Sequence, residues 1–402
     1  MTHKFIKDIH SGSRNDLLKR EIICYYINNR ESTLADLGKE MNLSIPTVTK
    51  LVGELIDDGY VVDYGKLETA GGRRPNIYGL NQDSGFFVGV DIHYTGVSIG
   101  LINFSGTLMA SDINLPFQVD NSRERFDELC GLIDDFIEDC KVPRTKIINI
   151  GINIPGRVNT KTGQSYSYFY FDERPLSELF TDKLGINATI DNDTRAMTYG
   201  EFLTGSVKGE KDIIYLNVGW GLGMGMIING ELYYGKSGFS GEFGHYPTFE
   251  NEVLCQCGKI GCLETEASGQ YIHREFINRL NDGDMSILSE AYNNGDKLTI
   301  YDIIDAALKD DMMAIELIED VGNTLGKALA GLINIFNPEL VVIGGTVSKG
   351  GDYLLLPLRS SIKRYSLNMV SSDSKLKLSK LGDKAGIIGA SMLARSKTIG
   401  LI

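Results

Sequence analysis

No run of the 402-residue chain approaches the roughly 18 to 20 uninterrupted apolar residues that a membrane span requires, and the opening MTHKFIKDIHSGSRNDLLKR lacks the apolar core of a secretory signal. Neither a membrane partner nor export is therefore expected, and the cytoplasm is the expected compartment. Basic charge is short as well. Forty Lys and Arg stand against 53 Asp and Glu, and the resulting net charge of −13, summed over the chain, repels a phosphate backbone and argues against nucleic acid. Of only six cysteines, Cys24, Cys130 and Cys140 are scattered through helix-like segments, whereas Cys255, Cys257 and Cys262 fall within eight residues. In a reducing compartment such a cluster points to metal and excludes a disulfide framework. Glycine is abundant instead: 46 residues, about 11% of the chain against roughly 7% in average usage, so tight turns or ligand-cradling loops are expected. The composition is otherwise globular, and the length suggests two or three domains.

Residues 1–85 read as a separate module. Leu17, Leu18, Ile22, Ile23, Tyr26 and Ile27 mark one face of a first helix, and Thr33 to Met41 form a short second one. Ser44 stands as N-cap of a third helix with apolar positions Ile45, Val48, Val52, Leu55 and Ile56, ended by Gly59. Tyr60 to Asp63 and Asn76 to Leu80 then alternate as two strands around a loop tipped by Gly71 and Gly72. Three helices and a hairpin predict a winged helix-turn-helix, whose third helix enters the major groove by its N-terminal end. The outward residues there are Ser44, Pro46, Thr47, Thr49 and Lys50, and Arg73 and Arg74 at the wing suit a narrow minor groove. Charge divides accordingly: residues 1–85 carry 11 basic and 12 acidic side chains, leaving 29 and 41 for the other 317. The acidity belongs to the large second part, so double-stranded DNA returns as an expected partner of the first.

Beyond Phe86 the sequence predicts an α/β fold of two similar lobes, 86–200 and 201–383, with the C-terminal helix at 384–402 returning to the first. FFVGVDI, VSIGLIN and a return at 107–114 precede a helix from Arg123 to Cys140 and a buried strand in KIINIGINIPG; the second lobe opens with DIIYLNVGWGLGMGMIINGELYYG. Two such units facing each other across a cleft give the actin-like ATPase (ribonuclease H-like) architecture, in which one loop per lobe wraps nucleotide phosphates through backbone amides. In the second lobe, Cys255-x-Cys257-x4-Cys262 offers three thiolates and His245 a fourth ligand, a closed tetrahedral set that predicts structural Zn2+ without an open position for water.

Seven segments together resemble the ROK family of bacterial sugar kinases and, where a winged helix precedes, sugar-responsive repressors of the xylose and N-acetylglucosamine type. They are GGRRP at 71–75, GVDIHYT at 89–95, PGRV at 155–158, DNDTRAMTYGE at 191–201, GEFGH at 241–245, CQCGKIGCLE at 255–264 and NPELVVIGG at 337–345. The resemblance implies the same zinc ligands, a catalytic aspartate at Asp193, and sugar ligands at Asn192, Asp193, Glu242, His245 and Glu264, with His245 serving metal and sugar through its two nitrogens. Read without it, Asn192 and Asp193 are equally a helix N-cap, and Glu242 and Glu264 ordinary surface carboxylates.

The chain departs from the kinase pattern at both phosphate loops. The first-lobe turn reads Asp91-Ile92-His93-Tyr94-Thr95 where the kinases carry glycines, and the second reads Gly219-Trp220-Gly221-Leu222-Gly223, with the single tryptophan in place of a small polar residue. Arg195 likewise replaces a common asparagine. Phosphate affinity comes from amides that must touch the phosphates, so ATP binding is expected to be lost and Asp193 to be a vestigial base. The expectation is a homodimeric or homotetrameric repressor of carbohydrate-utilisation genes, not an enzyme, released from its operator by a sugar or sugar-phosphate bound in the cleft. The rival is an ATP-dependent sugar kinase with Asp193 as base. Retention of Asn192, Asp193, Glu242 and His245 favours a sugar effector over a partner protein.

Overall fold

The computed structural model describes residues 13–66 and 75–402, which fall into two compact units. The first holds the chain up to Ile154 with 162–191 and 390–402; the second holds 155–161 and 192–389. The units part between Asp191 and Asn192, ahead of a helix that runs through residue 200, where the sequence reading had placed the boundary.

In the first unit, α1 (Arg14–Asn29), β1 (Glu31–Thr33), α2 (Leu34–Glu40), α3 (Ile45–Asp57), β2 (Val61–Lys66) and β3 (Asn76–Leu80) build the winged helix-turn-helix. Each helix begins on a hydroxyl cap: Ser13, Thr33 and Ser44 accept from the amides of Asp16, Asp36 and Thr47. The sheet has three strands in the order β1-β3-β2, not the two expected. β1 escaped the sequence reading because three residues carry no period, and Thr33 reads as a cap. Val48, Leu51, Val52 and Leu55 at helical spacing bury the inner stripe of α3 against Ile22, Ile23, Tyr26 and Leu37, each fully buried aliphatic chain contributing about 1.5–3 kcal/mol. Leu17 of α1, and Ile45 and Ile56 of α3, each assigned from sequence to the apolar face of its helix, are exposed. Lys19 of α1 reaches Glu54 of α3 at 2.8 Å and Asp58 at 3.6 Å, and these carboxylates hold its pKa raised against the desolvation that would lower it.

A second sheet of this unit runs in the order β10-β7-β4-β5-β6. Its strands are β4 (Phe86–His93), β5 (Gly96–Asn103), β6 (Leu108–Pro116), β7 (Ile147–Ile154) and β10 (Ala188–Asn192), with α4 (Arg123–Asp139) before β7 and α5 (Leu176–Leu184) before β10. The two-residue strands β8 (Val158–Asn159) and β9 (Gln164–Ser165) lie between β7 and α5 in sequence. Phe104 packs on Tyr60 at 5.5 Å and on Phe87 at 6.2 Å, so the winged module and this sheet share a core.

The second unit opens with α6 (Asp193–Thr204) and repeats the strand plan: β11 (Ile213–Val218), β12 (Leu222–Ile228), β13 (Glu231–Leu232), β14 (Leu340–Gly344) and β15 (Lys375–Leu378) in the order β13-β12-β11-β14-β15. Numbered within each sheet, both orders read 3-2-1-4-5, antiparallel in the first three strands and parallel where the fourth joins the first. That duplication is the actin-like plan. Between β13 and β14 come the cysteine loop, α7 (Gly269–Asp282), α8 (Ser289–Asn293), α9 (Ile300–Ala307) and α10 (Met312–Phe336); α11 (Asp352–Tyr365) and α12 (Asn368–Asp373) precede β15, and α13 (Ala385–Ile399) closes the chain. No helix among the described residues is long and apolar enough to cross a membrane.

Candidate functional site

The expected ligands of the second unit gather at the start of β12. Asn192 caps α6: its Oδ1 accepts from the Arg195 amide at 3.0 Å, and its Nδ2 donates to Gly156 O at 3.0 Å and Asp193 Oδ1 at 2.7 Å. The bland reading of this residue, a cap, is thus realised, while the cap holds Asp193 at the first helical position. Asp193 also accepts from the Thr194 amide at 2.7 Å. Burial strips water from its carboxyl and pushes its pKa up to about 6, although the Thr194 amide, the Arg195 guanidinium and the Asn192 amide all favour the charged form. Such a carboxyl takes or gives a proton near neutrality.

The next residue fixes the helix to the strand. A Cβ on Gly223 would collide with the Thr194 hydroxyl, and one on Gly225 with Thr198, one helical turn further on. Gly223, assigned from sequence to a phosphate loop, and Gly225 beyond that loop therefore open one face of β12 to the close approach of α6. At Gly221 the neighbour is Glu264 Oε2, 2.7 Å from where a Cβ would stand. The same oxygen accepts from the Leu222 amide at 2.9 Å. The Gly219 amide donates to Gly221 O at 3.0 Å, and the Gly219 and Trp220 carbonyls accept from Gly269 and Gln270 of α7 at 2.7 and 2.9 Å. Trp220 is half-buried against the His273 ring at 5.5 Å. Two amides of this turn are thus already engaged within the protein.

Arg195, read from sequence only as a departure from pattern, is buried. Its guanidinium donates to Gly238 O and, at 3.4 Å, to Val158 O, and lies over the Tyr234 ring at 5.3 Å. It anchors the loop that follows β13.

That loop leads to the metal ligands. One donor atom from each of His245, Cys255, Cys257 and Cys262 lies within 4.8 Å of all the others. Cys257 and Cys262 Sγ are 3.6 Å apart, close to the roughly 3.8 Å that two thiolates of a tetrahedral zinc with 2.3 Å bonds require, and far from the roughly 2 Å of a disulfide. His245 turns Nδ1 to Cys255 Sγ at 3.5 Å and leaves Nε2 3.7 Å from Glu242 Oε2. Its two nitrogens thus face different partners, one the thiols and the other a carboxylate. Burial pushes Cys255 up to about 12 and raises Cys262; Cys257 is lowered despite its own burial, by the Lys259 amide and the two other thiols. Glu264 Oε1 lies 3.7 Å from Cys255 Sγ, so one carboxylate touches both the metal loop and the glycine turn.

In the first unit, His93 pairs with Gly96 across the turn Tyr94-Thr95, and the buried Asp91 accepts from Asn153 Nδ2 at 3.1 Å. In the winged module Ser44, Pro46, Thr47, Thr49 and Lys50 are all exposed on the first half of α3, as expected, with Val48 the one buried residue among them. Arg73 and Arg74 lie outside the described residues. Sequence reasoning missed the Leu222 amide and the paired contacts Thr194–Gly223 and Thr198–Gly225; the period-two glycines opposite threonines four apart were their signal.

Known proteins share this organisation. The ROK family model matches residues 87–397, and one for winged helix-turn-helix DNA-binding domains matches residues 15–62. A xylose repressor of Caldicellulosiruptor bescii is 33% identical over 393 residues, covering 96% of this chain and 95% of the relative. A glucokinase of Halalkalibacterium halodurans is 30% identical over 315 residues, 78% of this chain and 96% of that one. The crystal structure of a ROK family transcriptional regulator, a homologue of the Escherichia coli MLC protein, superposes with a TM-score of 0.79 at 26% identity, covering 96% of this chain and 97% of its own.

Proposed function

Because this chain belongs to the ROK family and carries a winged helix-turn-helix ahead of the family domain, we propose that it is a transcriptional repressor of carbohydrate-utilisation genes that leaves its operator when a sugar or sugar derivative binds. The observation that carries the proposal is the similarity to a xylose repressor over 96% of the chain, DNA-reading module included. The exposed hydroxyls and Lys50 on α3 supply the DNA contact, joined by Arg73 and Arg74. Asn192, Asp193, Glu242, His245 and Glu264 supply the acceptors and donors that a polyol needs. Release follows if sugar prefers the conformation that binds DNA less well, and linkage then requires DNA to weaken sugar binding by the same factor. A pseudo-palindromic operator would be read by two copies, in a homodimer or homotetramer. The compartment is the cytoplasm, where DNA and sugar pools meet.

His245, Cys255, Cys257 and Cys262 are assigned to structural Zn2+. With four protein ligands the ion closes the loop and offers no site to water. When bound it supplies cross-linking and not catalysis, and it would keep the Nε2 edge of His245 beside Glu242.

The second reading, a sugar kinase, is favoured by the similarity to a glucokinase over 78% of the chain and by Asp193, whose pKa of about 6 suits a general base. Against it stand His93 and Tyr94 in the first-lobe turn and Trp220 in the second, with the Gly219 and Leu222 amides already engaged. Purified protein should therefore retard a promoter fragment from beside sugar-utilisation genes, release it with one sugar class, and show no turnover of ATP with any of them. Phosphoryl transfer abolished by Asp193→Asn would reverse the choice.

A further inference from the structure

We infer that Ile45 is a base-reading residue and that what it reads is the 5-methyl group of thymine. The inference rests on the DNA-binding reading above and goes beyond it in naming a base feature and the side chain that meets it.

Ile45 opens α3 and is 56% exposed, whereas Val48, three residues on, is fully buried. The inner stripe is completed without it, by Val48, Leu51, Val52 and Leu55. A large aliphatic chain in water at the end of the helix that faces the groove contributes nothing to the core. Its neighbours Ser44, Pro46, Thr47, Thr49 and Lys50 are exposed on the same first turns.

The polar groups of this end are largely occupied. Thr49 Oγ1 donates its only proton to Ile45 O at 2.8 Å. Ser44 and Thr47 hydroxyls lie 2.8 Å apart in one hydrogen bond, and Ser44 Oγ accepts the Thr47 amide at 3.4 Å. The whole helix, IPTVTKLVGELID, contains no Arg, Asn or Gln, which leaves Lys50 as its one side chain of the kinds that read guanine or adenine through paired hydrogen bonds. What these turns present outward is the Ile45 side chain, the Pro46 ring and threonine methyls, with Lys50, 68% exposed, as the cation. In the major groove the apolar feature that distinguishes one base pair from the rest is the thymine methyl. Covering it with Ile45 removes apolar surface of both partners from water.

The probe is a duplex enriched from a random-sequence library by the full-length protein, with each thymine then replaced singly by deoxyuridine, which lacks only that methyl. At one position in each half-site, the change to deoxyuridine should weaken binding by the wild-type protein about fourfold, the worth of one buried methyl. Ile45→Ala, at an exposed position, should bind the thymine and deoxyuridine duplexes equally there. A wild-type protein indifferent to every such replacement, or a discrimination that persists in Ile45→Ala, overturns the assignment. Failure to enrich any duplex sinks the DNA-binding reading itself, and this inference with it.

Discussion

The carboxylate of Glu264 accepts a hydrogen bond from the buried amide of Leu222 at 2.9 Å, while its other oxygen lies 3.7 Å from Cys255 Sγ. One side chain thus ties the glycine turn ahead of β12 to the metal loop, and does so among the residues assigned to sugar. Glu264→Ala leaves the amide without its acceptor, at a cost of about 1–3 kcal/mol. Thermal unfolding should show the loss in Glu264→Ala and its partial recovery in Glu264→Gln, which keeps an acceptor oxygen. An alanine variant with unchanged Tm would show that the contact carries no weight.

The cysteine loop should hold one zinc per chain. Elemental analysis of the purified protein is expected to find it, and Cys257→Ser to lose it. Chelation should lower Tm and weaken the response to sugar, because His245 and Glu242 lose their common frame. Full-length protein that is metal-free and indifferent to chelator would refute the assignment.

Asp193 gives a pH dependence with a definite sign. Its pKa is raised by burial to about 6, above the ordinary carboxyl value, so the folded state binds this proton more tightly than the unfolded one. The stabilising proton is fully present below about pH 4 and is lost as pH rises through 6. Asp193→Asn, which stays neutral, should therefore gain stability over wild type progressively between about pH 4 and 7, by roughly 1–3 kcal/mol at the upper end. A difference between the two proteins that does not change with pH would show that the carboxyl is not desolvated.

At the wing, replacing Arg73 and Arg74 together with Ala should reduce operator affinity by roughly tenfold or more and flatten its dependence on salt, as loss of cationic contacts does. Unchanged binding in a gel-shift titration would remove both residues from the interface.

Much of this organisation was legible in the chain itself. The strand meander from Phe86, the metal set and the cap of α3 follow from period, spacing and residue type, which are local properties. Ile45 was misplaced because an apolar residue at helical spacing reads as core until the end of its packing partner is known. Gly223 was read only as part of a ligand loop because sequence does not show that Thr194 presses on it from another element. Arg195 looked like damage, and the Gly238 and Val158 carbonyls that it binds come from distant segments. Local chemistry names the donors; only tertiary packing shows which are already spent.

The most direct test is fluorescence anisotropy of a labelled operator duplex titrated with full-length protein, with and without pentoses, hexoses, amino sugars and their phosphates. Tight binding that one class of sugar weakens, with the sugar bound correspondingly less well in the presence of the duplex, is the predicted result. Binding that no sugar or sugar phosphate alters would contradict the assignment of a sugar-responsive repressor.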